Sequence, residues 1–143
     1  MCGFMNNCNG NGVCGDNGVC TCNDDWGLGD CSALAVPLSS PTYTLKARDY
    51  LFFKFAMGGS KVVRIGGDNG NLEFFFTGSK NGPVGDPLNA DVVSKAVPGN
   101  GKARYMHLSS DRPNGYLTIH NTNYNEAVTF NIVTVPVPVE EVV

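Results

Sequence analysis

The sequence is poor in the residues from which most active sites are built. Its 143 residues include only two histidines, His107 and His120, and they do not lie at metal-binding spacing. It contains no Gly-x-Ser-x-Gly elbow, no His-Glu-x-x-His motif and no phosphate loop. Because catalysis needs a nucleophile, a base or a metal held in one pocket, we predict that this chain is not an enzyme.

Charge and long apolar runs are also scarce. The net charge is −3, which is too mild for a nucleic-acid partner, and no apolar run is long enough to cross a bilayer, so we expect no membrane insertion. No Asn-x-Ser/Thr sequon occurs, which excludes ordinary N-glycans. The start at Met1–Gly3 lacks the features of a secretory signal, so we expect a processed chain or a segment of a larger one.

All six cysteines lie in the first 31 residues, where glycine, asparagine and aspartate dominate. A segment this small cannot fold on its few apolar side chains, so disulfides formed in an oxidising compartment must hold it together. We therefore predict an extracellular or cell-surface location. Spacing alone does not choose among the pairings that six cysteines allow. The cysteines are Cys2, Cys8, Cys14, Cys20, Cys22 and Cys31.

The motifs Cys8-Asn-Gly-Asn-Gly-Val-Cys14 and Gly18-Val-Cys-Thr-Cys22, followed by Trp26, resemble an EGF-like module of the short tenascin type. The sequence departs from that family at Asp25 and Leu28, where glycine is usual. The resemblance implies a module over residues 1–32 and the pairs Cys2–Cys14, Cys8–Cys20 and Cys22–Cys31.

Metal binding is the competing interpretation of this segment. Zinc is disfavoured, because Cys20-x-Cys22 is too tight for a zinc knuckle and the segment has no histidine. Calcium would need several carboxylate oxygens, which Asp24, Asp25 and Asp30 could supply. We favour solvated loop acids and predict no cofactor, with calcium as the alternative.

The rest of the chain predicts an all-β protein. Residues 33–41 contain Pro37 and Pro41 and read as an extended connector. Beyond them, apolar and polar residues alternate in segments separated by glycine, asparagine and proline, which is typical of an antiparallel sandwich. Residues 78–101 read as a long loop with one strand near Val92. The inward-facing positions are Leu51, Phe53, Phe55, Leu117, Ile119, Val128, Phe130 and Ile132, with His120 facing outward.

The order of these segments over residues 42–135 resembles a pre-peptidase C-terminal (PPC) domain, which implies a jelly-roll-like sandwich. Some members of that family hold calcium with acidic residues. Here Asn71 stands at a key acidic position between Asp68 and Glu73, and a turn explains Asp68-Asn-Gly70 as well. The matching segments are Tyr43–Leu45, Asp49–Phe55, Lys61–Ile65, Gly67–Phe74, Asn114–His120 and Val128–Val133.

Three further features concern surfaces. Phe74, Phe75 and Phe76 must place at least one ring outside the main core; we favour burial of both faces over an exposed interaction surface. Residues 136–143 begin with proline at alternate positions, Pro136 and Pro138, which predicts a linker or an edge segment rather than a central strand. Composition suggests O-linked sugars at Ser39, Ser40, Thr42 and Thr44.

These features predict a non-catalytic extracellular structural or adhesive protein, such as a subunit or repeat of a filament or surface assembly. Its partners would be other protein subunits or an extracellular polymer or carbohydrate, through self-assembly or within a larger multidomain chain. The alternative is an accessory substrate- or carbohydrate-binding module of a secreted hydrolase. A receptor-binding role ranks last, since EGF-like modules are mostly spacers.

Overall fold

A computed structural model of the chain describes residues 3–57, 60–67, 71–80, 82–95, 103–110 and 112–136. As predicted, these residues form an all-β protein: after one 3₁₀ helix, Gly3–Gly10, every regular element is a strand. Within this part of the chain no helix is long and apolar enough to span a membrane. The strands are β1 Gly12–Cys14, β2 Cys20–Cys22, β3 Trp26–Gly27, β4 Ala33–Leu34, β5 Val36–Pro37, β6 Thr42–Leu45, β7 Tyr50–Ala56, β8 Ser60–Gly66, β9 Leu72–Thr77, β10 Val92–Ser94, β11 Arg104–Ser109, β12 Asn114–Asn121 and β13 Val128–Pro136.

Strands β5 to β13 form a sandwich of two sheets. Sheet I has the order β10-β9-β12-β7-β5 and sheet II the order β11-β8-β13-β6, and all their pairings are antiparallel except β5 with β7. Because side chains alternate along a strand, one face of each sheet supplies the shared core. Phe53, Ile119 and Phe130 are almost fully buried there, as their alternation predicted.

The outer face of sheet I is also buried around Phe75, which is the favoured of the two outcomes for the three phenylalanines. Phe74 and Phe76 lie in the core, and Phe75 on the opposite face is only 4% exposed. Residues 82–84 cross this outer face, and the Thr118 hydroxyl donates a 2.6 Å hydrogen bond to the Val84 carbonyl. The three phenylalanines therefore offer no exposed interaction surface.

Replacing Thr118 with valine tests how firmly the loop is attached to sheet I. The change keeps the side-chain shape but leaves the buried Val84 carbonyl without this donor. We expect the free energy of unfolding to fall by about 1 kcal/mol. Urea denaturation measures the difference, and an unchanged stability of Thr118→Val would contradict the role of the bond.

The segment predicted as an extended connector, residues 33–41, pairs with both units. β4 pairs with β3, and β5 joins the edge of sheet I beside Phe53 and Lys54 of β7. Only Ala35 separates the short strands β4 and β5, so the chain passes directly from the N-terminal cysteine-rich unit to the sandwich. The connector is thus part of the folded structure.

The strand β13 extends to Pro136, one residue beyond the predicted end of the sandwich. Its first part, Val128–Asn131, pairs with β6, and its last part, Asn131–Pro136, pairs with β8. Pro136 therefore lies where one side of the strand has no partner strand, which is compatible with its missing N–H. The rest of the predicted linker, residues 137–143, lies outside the described residues.

The N-terminal unit, residues 3–34, is called the disulfide module below. Cys8 is bonded to Cys20 and Cys22 to Cys31, the pairs that the EGF-like resemblance implies. Cys14 is also disulfide-bonded; its expected partner, Cys2, lies outside the described residues. Cys8 and Cys31 are fully buried, with Trp26 packed against them, so sulfur supplies much of the small core.

Candidate functional site

The disulfide module is attached to the sandwich through two glycines. The Leu28 amide donates a 3.1 Å hydrogen bond to the Pro83 carbonyl. A Cβ atom on Gly27 would lie 2.1 Å from the Pro83 oxygen, and one on Gly82 would lie 2.0 Å from the Trp26 oxygen. Both distances are far below van der Waals contact, so this approach of two backbones requires glycine on each side.

A carboxylate clamp forms a second attachment. Asp25 accepts a 2.8 Å hydrogen bond from the Lys54 ammonium of β7 and a 2.7 Å hydrogen bond from the Tyr116 hydroxyl of β12. Burial raises the pKa of the Asp25 carboxyl, but the hydrogen bonds and the Lys54 charge outweigh it and hold the pKa below its usual value. Burial and the Asp25 carboxylate raise the pKa of Tyr116. Asp25 is therefore a charged partner of the sandwich rather than a solvated loop acid.

The backbone at two attachment residues is left-handed. Asp25 has φ 71° and Leu28 has φ 67°, values that cost a non-glycine residue about 1 kcal/mol each. These are the two positions at which the sequence lacks the glycine of the EGF-like pattern. The Asp25 side chain forms the clamp, and Leu28 Cδ2 lies against Gly85, so both side chains make contacts that glycine could not.

A groove of about 780 Å³ lies between the disulfide module and the sandwich. Its floor is the outer face of β7, one wall is the module, and the other wall is the loop before β10. Its aromatic and aliphatic side chains are Val19, Trp26, Leu28, Tyr50, Phe52, Pro83 and Val84, and its polar ones include Thr21, Lys80, Asp86 and Asn89. A second, smaller cavity of about 260 Å³ lies beside the clamp, lined by Asp25, Lys54 and Tyr116.

Parallel rings form the floor. His120 of β12 stacks on Tyr50 with centroids 4.1 Å apart and planes 6° apart. The Tyr50 and Phe52 rings are 6.0 Å apart and parallel within 1°. Since His120 is the cross-strand partner of Tyr50 and Phe52 follows two residues along the same strand, Tyr50 and Phe52 lie side by side. His120 faces outward as predicted, but it is half-buried, and its Nδ1 lies 3.4 Å from Glu73 Oε1.

The loop wall is rigidly held and carries charge of both signs. The amide groups of Asn89 donate to the Asp86 carboxylate at 2.9–3.1 Å, and these bonds lower the pKa of Asp86. At the base of the loop, burial raises the pKa of Asp91, but hydrogen bonds from the Gly78 amide, Ser79 and Thr77 have the larger effect. The pKa of Asp91 therefore lies below its usual value. Asp91 thereby holds the start of the loop to its end.

The other predicted site residues do not come together. Within the described residues, the only group of three metal-ligating side chains is Cys8, Cys20 and Cys31, which are disulfide-bonded. Asp30 accepts from the Ser32 amide, and Glu73 lies beside His120. The Asn71 carbonyl accepts from Thr122, whereas Asp68 lies outside the described residues.

The residues predicted to carry O-linked sugars lie near the β6 edge of sheet II. Ser39, Thr42 and Thr44 are exposed and Ser40 is half-buried. The Thr42 hydroxyl donates to Asn131, and the Thr44 hydroxyl pairs with that of Thr129. Their modification stays a prediction.

Comparison with known proteins adds no identification: no family model matches the chain, and no curated protein is significantly similar to it.

Proposed function

We propose that this chain is a non-catalytic structural or adhesive protein of the extracellular space or cell surface, a subunit or repeat of a filament or surface assembly. The observation that carries the proposal is the attachment of the disulfide module to the sandwich. Two small units that move independently make a flexible tether, whereas two units held by a clamp and a backbone contact keep a fixed spacing. A fixed spacing is what an assembled structure requires of its repeat.

The chemistry of the disulfide module supports the proposed location. Its buried residues include Cys8 and Cys31, and disulfides persist in oxidising compartments, not in the reducing cytosol. The PPC-like resemblance supports the same location, because that domain is appended to many secreted proteins.

The proposal predicts self-association. Light scattering of the purified chain over a range of concentrations, with electron microscopy of the native material, should show dimers or longer assemblies. The matched comparison is the same chain after reduction and alkylation of its disulfides, which should no longer assemble. Discrete monomers at every concentration, and no filament in the native material, would reject the structural role.

A second candidate function is an accessory binding module of a secreted hydrolase. The groove favours it, because concave sites with aromatic walls and a few polar groups are typical of ligand binding. Sedimentation of the chain with insoluble polysaccharide, measured against a protein without affinity for it, tests this candidate independently of assembly.

A further inference from the structure

We propose that the groove between the disulfide module and the sandwich binds a neutral polysaccharide chain. This inference deepens the second candidate function and does not depend on self-assembly. It assigns the binding surface to the outer face of β7 instead of the phenylalanines of β9, which are buried.

The first argument is the shape of the aromatic floor. Tyr50 and Phe52 lie side by side with parallel rings, and Tyr50 is 39% exposed. The faces of aromatic rings carry negative charge density, and the C–H groups on the flat face of a pyranose ring are weakly positive. Because His120 covers one face of Tyr50, a sugar unit would stack on the opposite face, and the parallel Phe52 ring beside it would take the next unit of the same chain.

The second argument is the rigidity of the floor. His120 stacks on Tyr50 at 4.1 Å, and the Glu73 carboxylate lies beside the His120 ring. The Tyr50 ring is thus held in place before a ligand arrives, which removes the entropy cost of ordering it on binding.

The third argument is the charge of the walls. Lys80 can donate hydrogen bonds, and the Asp86 carboxylate, oriented by Asn89, can accept them. The two charges cancel, so the groove attracts neither a polyanion nor a polycation. A chain of neutral sugars, whose hydroxyl groups both donate and accept, fits this balance.

The test is a titration of the intact chain followed by NMR. The probes are cellohexaose, laminarihexaose, mannohexaose and N-acetylchitohexaose, with hexagalacturonate and an unstructured peptide as contrasting ligands. We expect at least one neutral oligosaccharide to shift the amide signals of Thr21, Lys80 and Asn89. Tyr50→Ala should weaken that binding about tenfold through loss of stacking.

Two further variants control for folding. Tyr50→Phe keeps the ring and should retain the affinity. Tyr124→Ala removes a tyrosine that is 73% exposed at another site and should leave binding unchanged. The inference is overturned if none of the four neutral oligosaccharides binds at millimolar concentration, if Tyr50→Ala binds as well as wild type, or if hexagalacturonate or the peptide is preferred. Each of these results leaves the light-scattering test of assembly unaffected.

Discussion

Replacing Gly27 with alanine is expected to detach the disulfide module from the sandwich. The new methyl carbon would lie 2.1 Å from the Pro83 carbonyl oxygen, and the obstacle is backbone, which cannot rotate away as a side chain can. Overpacking of this kind costs about 3 kcal/mol, more than the Leu28–Pro83 hydrogen bond contributes. Gly82→Ala should act in the same way from the opposite wall, because its methyl carbon would lie 2.0 Å from the Trp26 oxygen.

Limited proteolysis measures this effect directly. Detachment should expose the chain near residues 35–41, so the variant should be cut there and wild type should not. Gly29→Ala is the matched control, since a Cβ atom at Gly29 meets nothing within 4 Å. Equal resistance of Gly27→Ala and Gly29→Ala to the protease would show that the backbone contact does not hold the module.

Removing the carboxylate of the clamp is expected to have the second largest effect. Asp25→Ala leaves the Lys54 ammonium and the largely buried Tyr116 hydroxyl without their shared partner. Breaking a fully buried pair costs more, but the Lys54 and Asp25 side chains are 30% and 25% exposed, and solvent screening reduces the loss to about 2 kcal/mol. Urea denaturation measures this loss. Asp24→Ala, at the exposed neighbouring acid, should change stability little.

The clamp also predicts a pH dependence. The folded pKa of Asp25 is depressed, so the clamp contributes fully above the unfolded pKa, about 3.9, and its contribution is lost as the pH falls through the folded value. The fluorescence of Trp26, the single tryptophan, should report this change because its ring lies at the attachment. In Asp25→Asn the acid transition should shrink; a transition of unchanged size would assign it to other groups, such as Asp91, whose pKa is also lowered.

Strand faces could be predicted from the sequence because they follow from local alternation. Successive side chains of a strand point to opposite faces, so Phe53, Ile119 and Phe130 point inward while their neighbours point outward. Local sequence is enough to predict these faces. The short strand β10 is also predicted near Val92, within a segment that otherwise reads as a long loop. The burial of Phe75 is the favoured of two outcomes, but its cover could not be identified, because the path of residues 82–84 does not follow from local alternation.

The attachment of the disulfide module could not be predicted, since glycine pairs carry no mark of their partner. Gly27 and Gly82 read as ordinary turn residues, and only the fold brings their backbones together. One signal was present: Asp25 and Leu28 stand where the EGF-like pattern has glycine. Both residues adopt positive φ, which strains a non-glycine backbone. The contacts of their side chains with the sandwich explain why glycine does not stand at these positions.

The measurement that tests the central claim most directly is the rotational diffusion of the two units in solution. NMR relaxation of backbone amides in the disulfide module, such as Thr21 and Leu28, should give the same rotational correlation time as amides in the sandwich, such as Phe53 and Ile119. A shorter correlation time for the module would mean that it tumbles independently, and the proposal of a unit with fixed spacing would then be wrong.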